Sequence, residues 1–320
     1  MAQLDQRILK LVPEYRERVW GGQRLKAANP PIGEAWIAYG PSVVADGPAA
    51  GKTIDELIAL DGVGLLGSDA ARRYDSRFPL LIKFLDCKDW LSVQVHPNDE
   101  QARRLVGPNE FGKTEAWYFL EAEPGARILA GVKPGVSAAS LAAAIRNGKI
   151  VDVAEQVDIH DGEALLIPAG TLHALGPGLL LYEIQQASDT TYRAYDWDRP
   201  LSTGRKLHIE ESVAVTTTDP ACDRARPEIA TPTGSDRAVS CDYFDLDLAR
   251  VTAGEPLRST TQGRGFHIVS VVDANIEIAC GDEAVRLGCF ETAIVAGSAG
   301  DYTISAQQGS ARLLRATTPN

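Results

Sequence analysis

No apolar run in the sequence is long enough to cross a membrane. Nor does the start resemble a secretion signal, because Asp5, Arg7, Lys10, Glu14, Arg16 and Arg18 interrupt the apolar residues of the first twenty positions. A cytoplasmic protein is expected. Paired cysteine motifs are also missing: Cys87, Cys222, Cys241, Cys280 and Cys289 are odd in number and include no C-x-x-C spacing. That pattern disfavours a structural zinc ribbon and a disulfide framework. Positive charge is in deficit, with 32 Lys and Arg against 43 Asp and Glu and a formal charge of −11. Broad attraction to nucleic acid or to an anionic membrane is therefore not expected, and a phosphorylated ligand would need a local basic pocket. No composition signal marks an interface, and a monomer is expected.

What is present is enough apolar residue, 44% of 320, to bury two domain cores. Helical signals cluster in the first half. Thr53-x-x-Glu56 forms a capping box before Leu57, Ile58 and Leu60, and Ser137 precedes the alanine-rich stretch 141–145. Short strand-like runs dominate elsewhere, at 80–85, 91–95, 117–120, 164–167, 179–184, 244–251, 266–272, 276–279 and 311–315. Their glycine and proline punctuation suggests jelly rolls. Between 216 and 235 the chain turns polar and breaks at Pro220, Pro227 and Pro232, as a connector does. The expected fold is thus mainly β with inserted short helices, as two cupin-type jelly-roll barrels: residues 1–230 carrying the chemistry, and 231–320.

The strongest local signal is Gly162-x5-Pro168-x-Gly170-x2-His173, a strand running into a tight turn that delivers one imidazole to a barrel mouth. It matches much of the second cupin motif. Pro177 stands where cupins often carry asparagine, so the match ends at His173. Gly288 to Gly297 echoes Gly162 to Gly170 without any histidine, and the second barrel is expected to be metal-free. In Leu91-Ser-Val-Gln-Val-His-Pro97, period-two alternation sends Ser92, Gln94 and His96 to one face and Val93 and Val95 to the other. A divalent metal would explain three polar groups on one strand face, with Glu115 in Gly112-Lys-Thr-Glu-Ala-Trp117 supplying negative charge. Downstream, Glu183 is a candidate to move a proton, and Arg193 offers a planar fork of donors for phosphate or an oxyanion. Taken singly, a hydrogen-bonded histidine, a solvated carboxylate or a surface ion pair accounts for each residue equally well.

In order along the chain, Leu80-Leu-Ile-Lys-Phe-Leu, Leu91 to Pro97, Gly112 to Trp117, Ile167-Pro-Ala-Gly-Thr-Leu-His173 and Glu183 to Arg193 resemble the type I mannose-6-phosphate isomerases, over about residues 14–215. The resemblance implies one zinc ion held by Gln94, His96, Glu115 and His173, with Ser92, Lys113 and Arg193 lining the sugar-phosphate site. It further implies that Lys83 assists and that Glu183 is the acid/base. The reaction implied is aldose–ketose isomerisation of mannose 6-phosphate and fructose 6-phosphate through a cis-enediol. A sugar-sensing cupin without turnover, and an isomerase of another hexose phosphate, remain open at this point.

Two further patterns compete. Gly107 to Thr114 spells a P-loop, yet a charged helix-like segment precedes it and a strand-like segment follows, the reverse of what a P-loop needs. Gly62-x-Gly64-x-x-Gly67 spells a dinucleotide fingerprint without a βαβ unit, and a loop at a helix end is expected there.

Overall fold

The computed structural model describes residues 4–200, 204–219 and 222–319, so Pro220 lies outside the described residues. The chain is mainly β, with short helices inserted between strands. Its contacts group it into two compact units: the described parts of Met1–Tyr15, Ala35–Lys83 and Arg226–Asn320, and those of Arg16–Glu34 and Phe84–Ala225. Among the described residues, no helix is long and apolar enough to span a membrane.

The unit Arg16–Glu34 with Phe84–Ala225 is built on two sheets. One is five-stranded, in the order Tyr192–Tyr195, Val93–Val95, His173–Leu175, Arg127–Val132, Ala154–Asp158. The other runs Arg224–Ala225, Ala164–Ile167, Glu115–Ala122, Leu179–Gln186, and continues through residues 84–87 and 16–22. The core cluster holding Trp117, Phe119, Leu165, Ile167, Leu179 and Leu181 from one sheet also holds Ile128 and Leu175 from the other. Each such fully buried side chain contributes roughly 1.5–3 kcal/mol. Helix Asp99–Leu105 precedes residues 107–114 and strand Glu115–Ala122 follows them, which rules out a P-loop there.

In the other unit a six-stranded sheet runs Ile8–Lys10, Thr292–Val295, His267–Val271, Ser310–Thr317, Asp245–Thr252, Gly234–Ser240. A four-stranded sheet runs Leu257–Thr260, Asp301–Ala306, Ile276–Cys280, Glu283–Leu287. The Thr53 capping box forms as expected, and helix Ile54–Leu66 follows it. The glycine pattern differs from expectation: Gly62 and Gly64 lie within this helix and not in a loop at its end. Asp61 leaves helical geometry (φ −152°, ψ 74°), and its Oδ1 accepts from Gly64 N at 2.9 Å, which caps a second helical stretch ending at Gly67.

Within the same unit, interior positions that are apolar along most of their strands become polar at one end. His267 Nδ1 and the Tyr302 hydroxyl are 2.6 Å apart, and Arg315 bonds Asp247 Oδ2 at 2.8 Å. Burial, and then the charge of Arg315, pull the His267 pKa from 6.5 down to about 4. The folded state therefore holds this imidazole neutral, and as pH falls from 6.5 towards 4 the unfolded chain binds the extra proton first. Stability should drop across that window, and His267→Gln should flatten the drop in urea melts taken at several pH values.

Candidate metal centre

Strand pairing brings the predicted residues together. Gln94 is the middle residue of Val93–Val95, with His173 its cross-strand partner on one side and Arg193 on the other. Alternation places Val93 and Val95 in apolar clusters on the opposite face, as expected. The strand is shorter than expected, but Ser92, just before it, still donates to Gln94 Oε1 at 3.3 Å. On the other sheet, Glu115 opens strand Glu115–Ala122 and pairs with Gln185 and Ile167. The motif turn delivers His173 as expected. Gly170 takes the left-handed φ of 87° that favours glycine, and its N–H donates to His96 O at 2.8 Å, tying this turn to the other histidine.

His96, Glu115 and His173 are fully buried, and their ligand atoms lie within 4.8 Å of one another. Each imidazole is fixed through Nδ1, which faces a backbone carbonyl: Thr190 O for His96 and Thr171 O for His173, both at 2.9 Å. A carbonyl only accepts, so both Nδ1 atoms carry the proton and both Nε2 atoms present lone pairs inward. His173 Nε2 lies 3.1 Å from Glu115 Oε1, and His96 Nε2 lies 3.4 Å from Glu115 Oε2. Ligands about 2.1 Å from a tetrahedral centre are separated by about 3.4 Å, so this donor set fits a metal ion. Glu115 Oε1 is buried without a hydrogen-bond donor, which is the mark of an oxygen meant for a cation. The Gln94 amide is 3.2 Å from His173 Nε2, and a half-turn of the amide presents its oxygen there instead.

The field at the site is positive enough to keep the carboxylate ionised. Burial alone would raise the Glu115 pKa, but the Lys113 ammonium against it outweighs this and holds it well below the usual range. Lys113 Nζ contacts Glu115 Oε2 and lies 2.9 Å from His96 Nε2. Burial, followed by the charge of Lys113, brings His96 to about 3, which keeps its imidazole in the neutral form that coordinates metals.

Residues 8–116 match the family Phosphomannose isomerase type I, catalytic domain. The mannose-6-phosphate isomerase of Streptococcus mutans is 39% identical over 298 residues, covering 87% of this chain and 89% of that protein. The chain belongs to the type I phosphomannose isomerase family. Mannose-6-phosphate isomerase ManA of Bacillus subtilis is 33% identical over 285 residues, 84% of this chain and 87% of that one. A crystal structure of the Bacillus subtilis mannose 6-phosphate isomerase superposes with a TM-score of 0.83 at 31% identity, covering 97% of this chain and 99% of that chain.

For a phosphomannose isomerase of this type, the remaining predicted residues fall as follows. Arg193 is half-buried, donates to Lys206 O at 2.8 Å, and keeps a buried Nε without a hydrogen-bond partner. Burial lowers its pKa from the ordinary value, Arg205 lowers it further and Asp196 opposes, yet a guanidinium stays charged. Glu183 is buried beside the centre: its Oε2 accepts from Trp117 Nε1 at 3.0 Å, and the Trp117 ring lies 5.5 Å from that of His173. Lys83 belongs to the other unit, where its ammonium lies 5.2 Å from the centroid of the Trp36 ring. Sequence reasoning did not single out Gln185 and Gln186. Gln185 is opposite Glu115, and the period-two alternation from Glu183 placed it on the site face. Gln186 carried no such signal, because the partners of its amide come from two other segments of the chain, at Thr114 and Asp99.

Proposed function

We propose that the protein interconverts mannose 6-phosphate and fructose 6-phosphate, with the His96, Glu115, His173 and Gln94 cluster as its metal centre and zinc as its metal. One observation supports this reading most: two bare imidazole nitrogens and an ionised carboxylate converge in a buried pocket with the Lys113 ammonium against them. Two imidazoles, a carboxylate and an amide oxygen suit zinc. Bound there, zinc would supply Lewis acidity towards sugar oxygens. Catalysis is assigned to residues within 1–230, and the segment 288–297, which echoes the His173 turn without its histidine, is assigned no metal.

In this reading Lys113, Ser92 and Arg193 bind the substrate, Arg193 with donors suited to phosphate or to the charge of the enediol. Lys83 assists them. Glu183 takes the proton from one of C1 and C2 and returns it to the other while a hydroxyl proton passes between O1 and O2, so that the aldose and ketose forms exchange without net change in composition. Partial enclosure of this carboxylate beside Trp117 shields it from bulk water.

The test is a coupled assay for fructose 6-phosphate formed from mannose 6-phosphate, run on the purified protein, after chelation, and again with zinc restored. Turnover should vanish with chelation and return with zinc. No turnover by zinc-loaded protein would sink the assignment.

A further inference from the structure

Strand Glu115–Ala122 begins just after Thr114, so residues 112–114 decide how Lys113 is presented. These residues lie outside the strand and are held from several sides. Lys113 N donates to Pro97 O at 2.9 Å, and Ala169 N donates to Thr114 Oγ1 at 3.1 Å. The buried Gln186 amide completes the arrangement. Its Oε1 accepts from Thr114 N at 3.0 Å, and its Nε2 donates to Asp99 Oδ1 at 2.9 Å. The same Asp99 oxygen accepts from Gly112 N at 2.7 Å. Gln186, Asp99, Gly112, Lys113 and Thr114 thus form a closed ring, with one backbone N–H fixed on each side of Lys113. Gly112 is required here, since a Cβ on it would lie 2.5 Å from Asp99 N and 2.6 Å from Asn98 C.

We propose that the Gln186–Asp99 pair is a positioning device for Lys113, fixing its backbone so that the ammonium is set against the sugar phosphate. The assignment of Lys113 to the substrate rests on the isomerase reading. Apart from the Lys113 ammonium, the metal ligands are held by bonds outside the ring: Glu115 is paired in the ladder with Ile167 and Gln185, and His96 is held by Gly170 N and Thr190 O. Loosening the ring should therefore separate substrate handling from metal retention.

The experiment uses the full chain with zinc and three variants: Gln186→Leu, Gln186→Glu and Asp99→Asn. Gln186→Leu should keep its zinc while kcat/KM for mannose 6-phosphate falls about tenfold, as expected for a displaced binding group. Gln186→Glu sets two carboxylates against each other and should do at least as much harm. Asp99→Asn is the conservative control: an asparagine oxygen in the same place still accepts from both Gln186 Nε2 and Gly112 N, so kcat/KM should stay within about threefold of the parent. Reductive methylation read by mass spectrometry gives a second measurement that does not depend on turnover. Lys113, 3% exposed, should resist labelling in the parent and in Asp99→Asn and label several-fold faster in Gln186→Leu and Gln186→Glu. Parent-like kinetics in Gln186→Leu, zinc lost in step with activity, a loss in Asp99→Asn as large as that in Gln186→Leu, or equal labelling of Lys113 throughout would each overturn the proposal. A parent protein without turnover would instead defeat the isomerase reading, and the labelling would still decide whether the pair positions Lys113.

Discussion

Alanine at His173 is expected to cost the protein both its metal and its turnover, the latter by a factor of about a thousand or more. The imidazole is buried, fixed by Thr171 O, and its inward nitrogen lies 3.1 Å from Glu115 Oε1. Without it, the buried carboxylate oxygen has no counterpart, and the remaining imidazole, amide and carboxylate cannot close a four-ligand set. Metal analysis after dialysis, run beside the coupled assay and a thermal melt, checks the claim. A folded variant that keeps a full equivalent of zinc would remove His173 from the ligand set.

Glutamine at Glu183 is expected to be nearly as damaging to the rate, by about 10²–10⁴-fold, with metal content unchanged. The substitution preserves shape, and a glutamine oxygen can accept the Trp117 Nε1 hydrogen bond that Glu183 Oε2 now takes at 3.0 Å. Only the capacity to take a proton is lost. Exchange of solvent deuterium into C1 or C2 of the sugar is the direct readout, and exchange at the parent rate would pass the role to another carboxylate, Asp189 first.

The parts of this molecule that were legible in the sequence are those specified locally. The Thr53 capping box, the Ser137 cap of helix Ala138–Arg146 and the turn that delivers His173 each depend on a few adjacent residues, and each formed where expected. Alternation likewise placed Gln94 opposite the Val93 and Val95 face. Strand Glu14–Gly22 escaped notice because its first five residues, Glu-Tyr-Arg-Glu-Arg, carry no apolar alternation. The helix through Gly62 and Gly64 escaped because its restart depends on the Asp61 side chain, while the glycines alone read as a loop. Cross-strand neighbours such as Arg193 and Gln94 are set by pairings nearly a hundred residues apart, which no local pattern encodes. Gln186 belongs to the same class, since its amide matters through Asp99 and Thr114.

The way the chain passes between its two units limits how it can be shortened. Strand Ile8–Lys10 pairs with Thr292–Val295, and Ile8 is packed in the same core cluster as Val269, Leu313 and Ile304. A chain ended near residue 230 would keep every predicted metal ligand and yet leave that N-terminal strand with open hydrogen-bonding edges and uncovered isoleucine and leucine. Such a fragment is a candidate for self-association through its first dozen residues, so solubility, and not loss of ligands, would set the shortest length at which the metal centre can be isolated.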